Sequence, residues 1–101
     1  MTYFYKLIPP RPDFPADITP AEASAMQQHV AYWTELMNKG QVLVFGPVAD
    51  PHGSFGIAVL QLDEGADPSS VGANDPAIKA NAGFQFEVYP MPRAVMPPLT
   101  R

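Results

Sequence analysis

The chain has no cysteine, and that absence excludes disulfides, thiolate nucleophiles and cysteine-based zinc sites together. Charge is scarce as well: Asp, Glu, Lys and Arg make up 16% of the residues, against 47% apolar. A chain of that balance is not a disordered tail, because it has surface to bury. Only 6 residues are Lys or Arg, they are scattered, and the formal net charge is −4. Without a basic stripe to neutralise phosphates, nucleic-acid binding is not expected. No apolar run approaches the length of a membrane span, and Met1 to Lys6 lack the charged start and apolar core of a signal peptide. The expectation is a soluble, cytoplasmic protein with neither nucleic acid nor membrane as a partner.

Proline is what the chain has in excess, 13 among 101 residues. The prolines punctuate the sequence instead of forming a low-complexity tract, and the length suits one domain over 1–101. Tyr3 to Ile8 is rich in aromatic and branched residues and stops at Pro9-Pro10, which reads as a strand. Residues 9–18 carry four prolines and can be neither helix nor central strand. They form either an ordered polyproline-like loop or a flexible cover. Thr19-Pro20-Ala21-Glu22 is a helix start, with a threonine N-cap, proline in the first turn and a glutamate able to complete a capping box. Ala23, Met26, Val30, Trp33 and Met37 then recur at steps of three and four, which predicts one buried helical stripe. Gly40 supplies the left-handed residue that ends the helix.

Gln41 to Phe45 is a continuous apolar run and predicts a strand buried on both faces. Residues 46–53 contain Gly46-Pro47 and Asp50-Pro51-His52-Gly53, which is turn chemistry, and Ser54 to Leu62 returns as a second strand of a hairpin. An acidic loop follows. Asp67-Pro68 starts a short helix and Asp75-Pro76 restarts it, since a residue before proline is pushed out of the α region. Beyond Gly83, Phe84, Phe86 and Val88 alternate with polar neighbours and predict a last strand with one apolar face, followed by an extended proline-rich tail over 90–101.

The order strand, helix, strand, strand, helix, strand predicts an α+β fold, a ferredoxin-like βαββαβ sandwich with an antiparallel sheet and helices on one face. One layer of helices cannot cover both apolar faces of such a sheet. A homodimer through the open sheet face is therefore expected, with a small-molecule pocket between the paired sheets and near the shoulder of the first helix.

With cysteine gone, chemistry falls to the histidines, the carboxylates and the tyrosines. His29 lies on the shoulder of the helical stripe, one turn before Trp33, where a half-buried imidazole can carry a proton near neutral pH. It can equally be an inert, hydrogen-bonded residue at a helix boundary. Asp75 can partner a histidine, and as Asp before Pro it is also a plain N-cap. His52 sits in a turn beside Asp50 and is expected to be solvated. Two histidines on separate elements with no ligand cluster do not make a metal site.

In order and spacing, the aromatic strand Tyr3-Phe4-Tyr5, the helix residues His29, Trp33, Leu36 and Gly40, then Gly46-Pro47, the Asp50 to Gly53 turn, Asp75-Pro76, Phe84 to Val88 and Pro90 all match one family. The chain resembles the YCII-related (YciI-like) domain, in the branch with an extended proline-rich first loop. The resemblance covers Met1 to about Arg93. It implies a dimeric α+β barrel and an active site built on a helix histidine and the aspartate of the Asp-Pro motif, which fall on His29 and Asp75. A dehalogenating lyase acting on a chlorinated hydroxyquinol is one activity of the family. Many members carry an arginine three residues before the histidine, where this chain has Met26, so an anionic ligand held by that arginine is not implied. The expected function is proton transfer by His29 and Asp75 on a small cyclic or aromatic compound, of lyase or isomerase type. Gly46, Pro47, Trp33 and Tyr5 are expected to line the pocket, and neither cofactor nor metal is expected. A non-catalytic ligand-binding or regulatory partner domain and a cofactor-independent oxygenase are the alternatives.

Overall fold

Seven elements run in chain order through the computed structural model, which describes residues 1–98. They are β1 (Thr2–Ile8), α1 (Pro20–Asn38), β2 (Val42–Val48), β3 (Phe55–Gln61), α2 (Pro68–Ala73), α3 (Pro76–Lys79) and β4 (Gln85–Pro90). The strands form one antiparallel sheet in the order β2-β3-β1-β4. This is the ferredoxin-like α+β arrangement expected from the element order. Within the predicted tail, Pro90 closes β4, and residues 99–101 lie outside the described residues. Among the described residues, no helix is long and apolar enough to cross a membrane.

The ends of α1 follow from its sequence. Thr19 Oγ1 accepts from the Glu22 N–H at 3.2 Å, and Glu22 Oε1 accepts from the Thr19 N–H at 3.0 Å, so the capping box is complete. At the other end Gly40 takes φ +79°. Its N–H donates to the Met37 carbonyl and the Gln41 N–H to the Leu36 carbonyl, both at 2.9 Å, which makes a Schellman motif.

The buried stripe of α1 differs from the expected one. Val30 is 50% and Met37 37% exposed, while Glu22, Ala25 and Trp33 are buried and Tyr32 and Leu36 pack partly against the core. The helix is turned by about one residue from the all-apolar reading. Arg11 neutralises Glu22, and Asp75 takes the polar tip of Trp33, so residues that look too polar for the core enter it with partners.

Tyr5 and Leu7 of β1 point to the helices and are buried, with Tyr3 packed beside them. Phe4, Lys6 and Ile8 face the other way, in register with Val59 and Ile57 of β3 and Tyr89, Glu87 and Gln85 of β4. The expectation that β2 is buried on both faces fails: β2 is an edge strand and Val44 is 50% exposed. Gly46-Pro47 lies inside β2 and not in a turn, because an edge strand tolerates proline, whose missing N–H has no ladder bond to lose. The hairpin turn itself is residues 49–54, where the Gly53 N–H donates to the Asp50 carbonyl at 3.0 Å.

The proline-rich segment 9–18 is ordered by turns and by Arg11. The guanidinium donates to both Glu22 carboxylate oxygens at 2.7 Å and to Asp17 Oδ2 at 2.7 Å, tying the loop to the start of α1. Phe14 is 8% exposed, and its ring meets Phe84 edge-on with centroids 5.2 Å apart.

Candidate functional site

Asp75 is fully buried at the junction of β1, α1 and α3. Its position follows from the Asp-Pro start of α3, where Oδ1 caps the helix by accepting from the Ala77 N–H at 2.9 Å. Three further donors converge on the carboxylate. Tyr5 Oη donates to Oδ2 at 2.9 Å, Trp33 Nε1 donates to Oδ2 at 2.8 Å, and His29 Nδ1 stands 2.9 Å from both oxygens. Burial alone would raise the Asp75 carboxyl. The bond and attraction from His29 and the bonds from Trp33 and the Ala77 N–H outweigh it, so the group is held below its usual range. Burial, followed by the charge of Asp75 and the bond to it, pushes the Tyr5 hydroxyl far up, which keeps it protonated and donating. An ionised Asp75 accepts only, so the His29 nitrogen facing it carries the hydrogen.

His29 stands between this network and an open space. Its side chain is 15% exposed and lines a cavity of about 230 Å³, while Asp75 does not reach the wall. With Nδ1 committed to Asp75, Nε2 is the ring nitrogen left for other chemistry. The rest of the wall is nearly all apolar: Met26, Val30 and Trp33 from α1, Phe45 and Ala58 from the hairpin, Phe14 and Phe84 beyond them. Among the described residues, no lysine, arginine or carboxylate lines it. A proton acceptor with a fixed tautomer in an apolar chamber is suited to take a proton from a neutral organic molecule and return it.

The family model for the YCII-related domain matches residues 2–92. The chain belongs to the YCII-related domain family. No curated protein matches it. Among solved structures, it is similar to a 5-chloro-2-hydroxyhydroquinone dehydrochlorinase from Burkholderia phenoliruptrix AC1100, solved in complex with 2,5-dihydroxybenzoquinone. The identity is 18% and the TM-score 0.49, over 84% of this chain and 90% of that one. It is also similar to a formyltetrahydrofolate deformylase from Pseudomonas putida KT2440, with 14% identity and a TM-score of 0.48. That match covers 90% of this chain and 29% of the deformylase, so the chain spans under a third of that enzyme's length.

In this YCII-related domain His29 and Asp75 lie in direct contact, and Gly46, Pro47, Trp33 and Tyr5 all line the cavity. Trp33 and Tyr5 do more than line it, because their polar tips hold Asp75. That role was missed in the sequence, although a buried Tyr or Trp needs a partner for its tip. Phe14, Pro15 and Phe84 were missed as wall residues, and Arg11 as the tie to α1. The signal for Phe14 was a lone aromatic in a loop otherwise built, up to Ile18, of proline, charged and small residues. The cavity adjoins the shoulder of α1 that carries His29. It sits between α1, the hairpin and the proline-rich loop of one chain, on the helix-facing side of the sheet, because Gly56 and Ala58 leave room beneath the helix. His52, with its side chain 95% exposed, does not line it. Among the described residues, no group of three His, Asp or Glu side chains could hold a metal ion.

Proposed function

We propose that this domain catalyses proton transfer on a small, uncharged cyclic or aromatic compound, with His29 as the general base and acid. The observation that carries the reading is the contact of His29 Nδ1 with the buried Asp75 carboxylate at 2.9 Å while the same ring lines an apolar cavity. Nε2 takes a proton from a substrate C–H or O–H. The electron pair left behind either shifts along the ring system, for an isomerisation, or expels a leaving group, for an elimination. The imidazolium is stabilised by Asp75 and gives its proton back to the product or the leaving group. The step draws only on His29, Asp75 and the substrate. Among the described residues the cavity wall supplies no cation, and Met26 offers none, which favours neutral over anionic substrates.

Deuterium incorporation into a panel of neutral cyclic ketones and phenols in D₂O, followed by NMR, tests the step without knowledge of the net reaction. The wild type is expected to accelerate exchange of a responsive compound, and His29→Gln to lose about 10²-fold or more of that rate. Equal rates in the two proteins refute the proposal. A non-catalytic ligand pocket is the second reading. It is favoured by the apolar wall and by the fact that Asp75 has a complete structural role as a cap. Compounds that bind both proteins equally and are never exchanged would support it.

The domain is further proposed to work as a homodimer through the open sheet face. That face carries Phe4, Ile57, Val59, Val44 and Tyr89, the last two half exposed. An apolar sheet face of that extent is costly in water. Light scattering at micromolar concentration should give twice the chain mass of 11.0 kDa, and Val59→Lys should halve it. A wild-type monomer under those conditions sinks the proposal.

A further inference from the structure

One side of the His29 cavity is built by the proline-rich loop, and a single side chain does most of the filling. Phe14 is buried, whereas Pro12, Asp13, Pro15, Ala16 and Asp17 around it are exposed. Its ring turns inward, lines the cavity and stands at 90° to the ring of Phe84, which lines the same side. A loop that buries one aromatic among exposed neighbours acts as a plug, and here the plug borders the chamber of the catalytic candidate.

The loop does not depend on that ring for its position. Arg11 holds it to Glu22 and Asp17 through bonds of 2.7 Å. Turn bonds run from the Phe14 N–H to the Arg11 carbonyl at 3.3 Å, from the Ala16 N–H to the Asp13 carbonyl at 2.8 Å and from the Ile18 N–H to the Pro15 carbonyl at 3.1 Å. The flanks rest on two glycines, Pro12 beside Gly53 and Pro10 beside Gly83, where an added Cβ would come within 3.7 Å and 3.0 Å. Shortening Phe14 therefore removes the plug and leaves the wall that carries it.

We propose that Phe14 is a specificity-determining residue: its ring limits the occupant of the His29 cavity to one substituted, uncharged ring, and its removal admits a second fused ring. The volume of about 230 Å³ sets the scale. An apolar cavity of about 150 Å³ accommodates benzene, so this one takes a single substituted ring, and a second fused ring would press on the side that Phe14 closes. The inference rests on the cavity being the ligand site proposed above, and goes beyond it by naming what sets the size of the ligand.

The probes are phenol and 1-naphthol, neutral alcohols of one and two rings. Binding is read from the indole N–H signal of Trp33, the only tryptophan and a wall residue, in ¹⁵N-labelled full-length protein. Wild type is expected to bind phenol at least as tightly as 1-naphthol. In Phe14→Ala the preference should turn toward 1-naphthol by about 10-fold or more, the usual scale for a change of hydrophobic pocket size. Phe14→Leu makes a smaller cut, should shift the preference in the same direction by less, and serves as the test if the alanine variant does not fold. An unchanged ratio in the folded variants, or a wild type that already prefers 1-naphthol, overturns the role of Phe14 alone. Absence of binding by either compound to any of the proteins overturns the ligand-site reading and this inference with it.

Discussion

Replacing Asp75 by Asn swaps one carboxylate oxygen for an NH₂ group and leaves the size of the side chain unchanged. The geometry allows no harmless orientation. With NH₂ in place of Oδ2 it faces the Trp33 Nε1–H, a donor 2.8 Å away, and with NH₂ in place of Oδ1 it faces the Ala77 N–H at 2.9 Å. Either way a buried donor loses its acceptor, at a cost of about 1–3 kcal/mol, and the remaining bonds lose their charge assistance. Together these reach about 3 kcal/mol, the lower part of the range for breaking a buried charged pair. For a domain of this size that is a fall in Tm of roughly 12–24 °C. Asp67→Asn is the matched control. Asp67 also precedes proline and caps a helix, by accepting from the Ser69 N–H at 3.0 Å, but it is exposed and asparagine caps as well as aspartate. Its cost should stay within about 0.5 kcal/mol. Urea unfolding followed by Trp33 fluorescence measures both, with an unchanged m-value as the sign that only stability has moved. If the two variants shift the midpoint alike, Asp75 is a cap and nothing more, and the reasoning about its four donors is refuted.

Two further outcomes follow from the same structure. Glu22 is drawn from its ordinary 4.5 down to about 2, first by the bonds from Arg11 and then by the Thr19 N–H. A depressed carboxyl contributes stability that is complete above the unfolded-state value and is lost as pH falls through the folded one, so this contribution should drain away between about 4.5 and about 2. Arg11→Met should therefore differ from wild type in stability most above pH 4.5 and converge on it toward pH 2, and a difference independent of pH in acid titrations by circular dichroism would contradict it. Gly72 is buried in α2, where an added Cβ would run into the ring of Phe86, itself stacked on Tyr5 with centroids 5.6 Å apart. Gly72→Ala, normally favourable in a helix, should instead cost about 1–3 kcal/mol through overpacking, and a rise in Tm would show that the Phe86 ring moves aside freely.

The order of elements, the capping box at Thr19, the C-terminal motif at Gly40 and the two Asp-Pro helix starts were legible because each depends on residues within one turn of one another. Local chemistry of that kind is complete in a short window of sequence. The face that α1 buries was misjudged by about one residue, because apolar spacing has no means of showing that Arg11 and Asp75 supply partners for Glu22 and for the tip of Trp33. Likewise the run from Val42 to Phe45 looked buried on both sides, since hydrophobicity does not tell an edge strand with a bare apolar face from a central one. The absence of cysteine narrowed the chemistry to histidine and acids, and the helix shoulder singled out His29.

Only the tertiary structure decided what those residues amount to. Asp75 is reached by Tyr5 across 70 positions of sequence and by His29 across 46, so its donor set comes into being when β1, α1 and α3 pack. The cavity likewise exists because glycine and alanine on β3 lie beneath the helix while a loop from before the helix folds back to close one side. Residue types and local geometry are written along the chain, whereas a site made by convergence of distant side chains depends on packing.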